Sequence, residues 1–163
     1  MQRPNLPTDI AETVEPLFDA LPPEQAMDKL VVSMHGGSEA LVEQVQTIVA
    51  SPAIKDRPAL AAGLWLYIDE LDRSHRISQG MGDQTGAFWH AIMHRREGDF
   101  GNSGYWFSRT GHHPAMDQIA GYDAKDFLKQ AERAYEQGNN TDPTLAELQR
   151  EEWARLFEWC ARA

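Results

Sequence analysis

Apolar positions recur every three or four residues along nearly the whole chain, the period of helices half-buried in a core. Asp9 with Glu12 three residues on is a capping signal, and Ile10, Val14, Leu17, Phe18 and Leu21 follow on one stripe. Pro22 and Pro23 stop that helix and predict a second one, with Met27, Leu30, Val31 and Met34 buried and Gly36-Gly37 as its end. Ser38 opens a third, in which Leu41, Val45, Ile48 and Val49 repeat at helical spacing. Ser51 to Pro58 is a loop joining two halves of one core. Asp56 and Pro58 begin the most apolar helix, with Leu60, Leu64, Ile68 and Leu71 on its stripe. It is expected to run into Asp72-Arg73-Ser74-His75-Arg76 and then a flexible loop carrying Gly80, Gly82 and Gly86.

The next helix is predicted from about Thr85 to Glu97, closed by Gly98; Asp99 then caps another over about Phe100 to Thr110, ended by Gly111 with Pro114 beyond. Later helices cover Ala124 to Gln137 and Pro143 to about Ala161, the last burying Leu145, Leu148, Trp153, Leu156, Phe157 and Cys160. No alternating apolar run is long enough for a strand. The fold class is therefore all-α: a single domain over 1–163 of about seven helices around a central αα-hairpin, with repeat-like packing as an option. Within it, N-terminal helices occupy 1–50, a motif-bearing core 56–114 and C-terminal helices 123–161.

Composition narrows the class. The chain is long enough to bury one core, and its mean hydropathy of −0.54 suits a soluble globular protein. The apolar run near Leu64 is broken by Asp69 and Glu70, well short of a membrane span of ~20 residues. No secretory signal is expected at the amino terminus, and a single cysteine, Cys160, excludes a disulfide framework, so the expected compartment is a reducing cytoplasm. A formal net charge of −10 argues against nucleic acid as partner, since affinity there comes from neutralising phosphates.

The charge is unevenly spread. Five of the six histidines lie between His75 and His113, and five of the fifteen basic residues, all arginine, lie between Arg73 and Arg109. Outside 73–113 there are ten basic against twenty-two acidic residues; inside, the five arginines face only Asp83, Glu97 and Asp99. A functional site is expected there. His90, His94 and Glu97 are spaced four and three apart, on one face of their helix. On the following helix Asn102, Tyr105 or Trp106, and Arg109 share a face, so the two rows converge if both look into one hollow.

Two chemistries fit. One is a pocket for a small anionic or polyhydroxylated molecule: Arg95 and Arg109 as anion clamps, Trp89 and Tyr105 to stack on a ring, His75 and His113 close behind, His90 or His94 as proton carrier and Glu97 as orienter. The other is a divalent metal at His90 and His94 with His75, Glu97 or His113 as third ligand. The metal reading ranks lower, because nearby arginines would repel a cation, and Ala91 in the second position of the H-x-x-x-H run excludes a zinc-protease motif. Structure alone explains part of the pattern: Asp99 as cap, Gly98 and Gly111 as terminators, Glu97 in an ion pair with Arg95, Arg96 or Arg109, and Trp89, Ile92, Met93, Phe100, Trp106 and Phe107 as core.

Two resemblances follow from the motifs. G-D-F-x-x-S-x-x-x-F-x-x-T, from Gly98 to Thr110, resembles the second half of a tetratricopeptide unit, with Ala91 at the small position of the first helix; no second copy is present, although stacking needs three or more. The longer stretch from Gly63 to Pro114, including W-H-A-I-M-H-R-R-E-G-D-F-G-N-S-G-Y-W-F-S-R, resembles a family of uncharacterised bacterial and fungal proteins with no assigned activity. What this resemblance implies is that function attaches to its positions, which add Ser74 and Gln79 to the candidates. The expectation is thus a helical protein binding a small anionic or sugar-like ligand, with acid–base catalysis as an extension. The alternative is a helical protein-interaction module or homo-oligomeric scaffold without catalysis, which predicts an exposed aromatic patch; oligomeric state is left open.

Overall fold

Two helices, Pro58–Tyr67 and Gln84–Arg96, are buried on almost every side and form the centre of the molecule. A computed structural model describes residues 2–163, and among them the order is α1 (Thr8–Ala20), α2 (Glu39–Val49), α3 (Pro58–Tyr67), α4 (Leu71–Ser78), α5 (Gln84–Arg96), α6 (Phe100–Thr110), a short 3-10 turn (Pro114–Gln118), α7 (Ala124–Glu136) and α8 (Pro143–Arg162), with no strand. The all-α class is what the periodicity predicts. Helix α3 buries Leu60, Leu64, Trp65, Leu66 and Tyr67, and α5 buries every residue from Thr85 to Arg96. Helices α3, α5 and α8 cross closely at Gly63. A Cβ there would stand 2.9 Å from ring carbons of both Trp89 and Phe157, and the Gly63 carbonyl accepts the Trp153 indole N–H at 2.8 Å. Only glycine lets the three helices approach this far.

The predicted second helix is absent. Residues 22–37 run as turns and extended chain, because their backbone groups are taken by distant side chains. Gln149 Nε2 donates to the Met27 and Lys29 carbonyls, Arg150 Nε to Ala26 O, and Arg96 Nη2 to Lys29 O. Asn140 pairs with both N–H and C=O of Val31. The apolar spacing of Met27 and Leu30 remains useful, since both are buried.

A second difference sets up the site. The predicted long helix breaks at 68–70, where Asp69 takes φ 66, a region aspartate tolerates better than most residues. The buried Arg96 guanidinium stabilises the corner by donating to Leu66 O and to Asp69 Oδ1 at 2.7 Å. The chain then starts again as α4, so 71–78, expected partly as loop, is helical and presents His75 toward α5. The apolar stripe continues across the break through Ile68 and Leu71, both buried, which hides the corner from periodicity.

The hairpin of α5 and α6 forms as expected. Gly98 takes φ 85, Asp99 accepts the Asn102 N–H at 3.1 Å, and Ser103 Oγ donates to Ala91 O at 2.7 Å, pinning one helix to the other.

Candidate functional site

The i, i+4 spacing on α5 places His90 and His94 one above the other, their rings stacked at 4.7 Å. His75 comes in from α4 edge-on, 4.8 Å from His90 and 5.4 Å from His94. One nitrogen from each of His75, His90 and His94 lies within 4.8 Å of the others. His75 is half-buried, while His90 is 3% exposed and His94 is buried, so the cluster meets solvent on the His75 side. From α6 it is Trp106 that reaches the cluster, stacking on His90 at 4.0 Å.

The ring nitrogens settle how the histidines are held. His94 Nδ1 lies 2.6 Å from Glu97 Oε1. A carboxylate only accepts, so Nδ1 carries a proton and donates to Glu97, and Nε2 is the nitrogen left free of that bond. Neither nitrogen of His90 has a hydrogen-bond partner, although both are buried. Burial lowers the His90 pKa to about 4, and lowers that of His75, with the neighbouring histidines acting in the same direction. Both imidazoles are therefore neutral, with lone pairs available, at neutral pH.

The remaining expected residues divide clearly. Arg95 does not clamp an anion at this site: its guanidinium makes a bidentate pair with Glu152 at 3.0 and 2.6 Å and lies over Phe127 at 4.2 Å. Tyr122 OH donates to the same carboxylate, completing a buried triad. Trp89 is core rather than a stacking platform, fully buried against Gly63 and beside the Cys160 thiol, whose pKa burial pushes up to about 12. Ser74 is buried and donates to Ala62 O at 2.9 Å. Gln79 is the exposed C-cap of α4. His113 lies outside the cluster: its Nδ1 accepts the Ala115 N–H, so Nε2 carries the proton and donates to Thr85 Oγ1 at 3.1 Å.

The two polar rows do not face each other across one hollow. Asn102 is half-buried, whereas Tyr105 and Arg109 turn to solvent, Tyr105 standing edge-on to Trp106 at 5.4 Å. Sequence reasoning left Tyr105 and Trp106 as alternatives for the inward position, since helical spacing alone fits either. Among the described residues the exposed large hydrophobics are Tyr105 and Tyr135.

The electrostatic objection to a cation loses most of its force here, since of the segment's five arginines only Arg109 has no carboxylate partner among the described residues. Arg95 is neutralised by Glu152, Arg96 by Asp69, Arg76 by Asp72 at 2.8 Å, and Arg73 lies 3.7 Å from Glu70. Three imidazoles and a carboxylate orienting one of them are a donor set suited to zinc, copper, iron or nickel. A second acidic group, Glu97 and Asp99 around His94, also falls within 4.8 Å, but Asp99 is exposed and already caps α6. No family model, curated protein or solved structure matches this chain.

Proposed function

We propose that His75, His90 and His94 bind one divalent transition-metal ion, of which zinc is the type case, and that the ion takes a small ligand at a fourth position. The observation that carries this reading is His90, a buried imidazole with both nitrogens unpartnered. Each unsatisfied buried polar atom costs about 1–3 kcal/mol, and coordination would relieve one of them. In a tetrahedral site the ligand nitrogens stand about 3.4 Å apart, so the three, now within 4.8 Å of one another, would have to draw together, the half-buried His75 having the most room to move. Glu97 then has the role of outer carboxylate, holding His94 in the tautomer that presents Nε2.

Three protein ligands leave tetrahedral coordination incomplete, the arrangement of catalytic rather than structural zinc. Such an ion lowers the pKa of bound water to about 7, which supplies acid–base chemistry at neutral pH without a titrating histidine. The small anionic or polyhydroxylated ligand expected from the sequence is the kind of oxygen-rich molecule that would take the open position.

Untagged, chelator-stripped protein titrated with zinc, and with cobalt(II) as a coloured substitute, tests the reading. One ion per chain is expected, with tetrahedral cobalt absorption and partial quenching of Trp106 fluorescence. His75→Ala should abolish tight binding while leaving circular dichroism unchanged, because the ring is half-exposed. Glu97→Gln should weaken binding about 10–100-fold. Absence of stoichiometric binding, or binding indifferent to His75→Ala, ends the proposal.

A further inference from the structure

Arg109 stands apart from the other arginines of its segment. Arg73, Arg76, Arg95 and Arg96 each lie within salt-bridge distance of a carboxylate. Arg109 has no ion pair among the described residues and instead lies over aromatic rings, 6.0 Å from the Tyr105 centroid and 5.8 Å from that of Trp106. In a chain with 25 acidic residues, its helix α6 contains none between Phe100 and Thr110. An unneutralised guanidinium presents a rigid fork of donors, the geometry that matches phosphate and carboxylate oxygens.

Its surroundings are open. Tyr105 is 55% exposed, the most solvent-accessible large hydrophobic among the described residues. Gly101, one turn before Tyr105 on the same helix, has empty space where a Cβ would be. Packing thus does not require this glycine, though it costs about 1 kcal/mol of helix propensity against alanine. Low relief is what a surface approached closely by a ligand would keep.

The platform is also continuous with the histidine centre. Trp106, which Arg109 overlies, stacks on His90 at 4.0 Å. The guanidinium carbon therefore lies no more than about 10 Å from the His90 ring centre; Arg109 and the histidines share no hollow, so a molecule reaching both would run along the edge of Trp106.

We infer that the exposed face of α6 formed by Tyr105 and Arg109 is a subsite for the oxyanion of a small molecule, a phosphate or a carboxylate, whose body reaches the ion held by His75, His90 and His94. This rests on the metal proposal and adds the substrate class. Arg109 fixes the anionic group and Tyr105 offers a flat apolar face to the body, while the ion takes an oxygen at the other end.

Calorimetric titration of the zinc-loaded full chain with glucose 6-phosphate, glucose and glucuronate tests it, the two anions separating phosphate from carboxylate. Glucose 6-phosphate or glucuronate should bind and glucose should bind far more weakly. Arg109→Gln should weaken the binding anion about tenfold or more, with Arg109→Lys intermediate. Arg109 makes no ion pair among the described residues, so these variants should keep wild-type thermal stability and zinc affinity. The subsite is overturned if neither anion binds the zinc-loaded protein, or if Arg109→Gln binds them as the wild type does. Zinc affinity, measured on the same samples without anion, reports on the metal proposal alone.

Discussion

The buried pair of Arg95 and Glu152 can be broken from one side by Glu152→Gln. Arg95 is 1% exposed and Glu152 0%, and Arg95 has no other carboxylate partner among the described residues. The substitution keeps the shape of the side chain and removes its charge, leaving a guanidinium sealed from water with only the Phe127 face and a neutral amide against it. Breaking one side of a buried ion pair typically costs about 3–5 kcal/mol, because the surviving charge is desolvated without compensation. For a chain of this length each kcal/mol lowers Tm by about 2–4 °C, so the expected fall is on the order of 6–20 °C. Thermal and urea unfolding followed by circular dichroism, in chelator, would read it. Removing both charges together, as Arg95→Met with Glu152→Leu, should recover much of the loss, and adding Tyr122→Phe should recover more, since that hydroxyl otherwise loses its acceptor. A loss below about 1 kcal/mol for Glu152→Gln would refute the assignment of Arg95 as a structural cation. So would a well-folded double variant that no longer binds zinc or anions.

Two further outcomes follow from packing and protonation. His113 is buried and its pKa is lowered from 6.5 to about 4 by desolvation, so the unfolded chain binds a proton that the fold does not. Its contribution to stability is full above pH 6.5 and is lost as pH falls toward about 4, about 1–3 kcal/mol once solvent screening is allowed for; His113→Gln should flatten the unfolding profile across that window, and an unchanged slope would count against it. Gly63→Ala places a methyl 2.9 Å from Trp89 and Phe157 and should lower the urea midpoint by about 1–3 kcal/mol equivalent, whereas an unchanged or raised midpoint would mean the helices separate freely.

Local signals in the chain determined most of the helices and one edge of the site. Ser38, Asp83, Asp99, Asp123 and Asp142 each accept a backbone N–H at a helix start, and these interactions span three residues, so they can be read from adjacent letters. The same holds for His90, His94 and Glu97, whose convergence needs only the helical repeat. Tertiary structure alone decided the rest, because the deciding partners are far apart in sequence. Arg95 meets Glu152 fifty-seven residues away, and nothing near it distinguishes a core cation from a ligand clamp. Residues 22–37 carry helical spacing, yet Asn140, Gln149 and Arg150 claim their backbone groups from more than a hundred residues off. The third histidine joined the cluster only because the corner at Asp69, stabilised by Arg96, turned α4 across α5. Periodicity reports which face is buried; which side chain waits on the other side of that face is a property of the assembled fold.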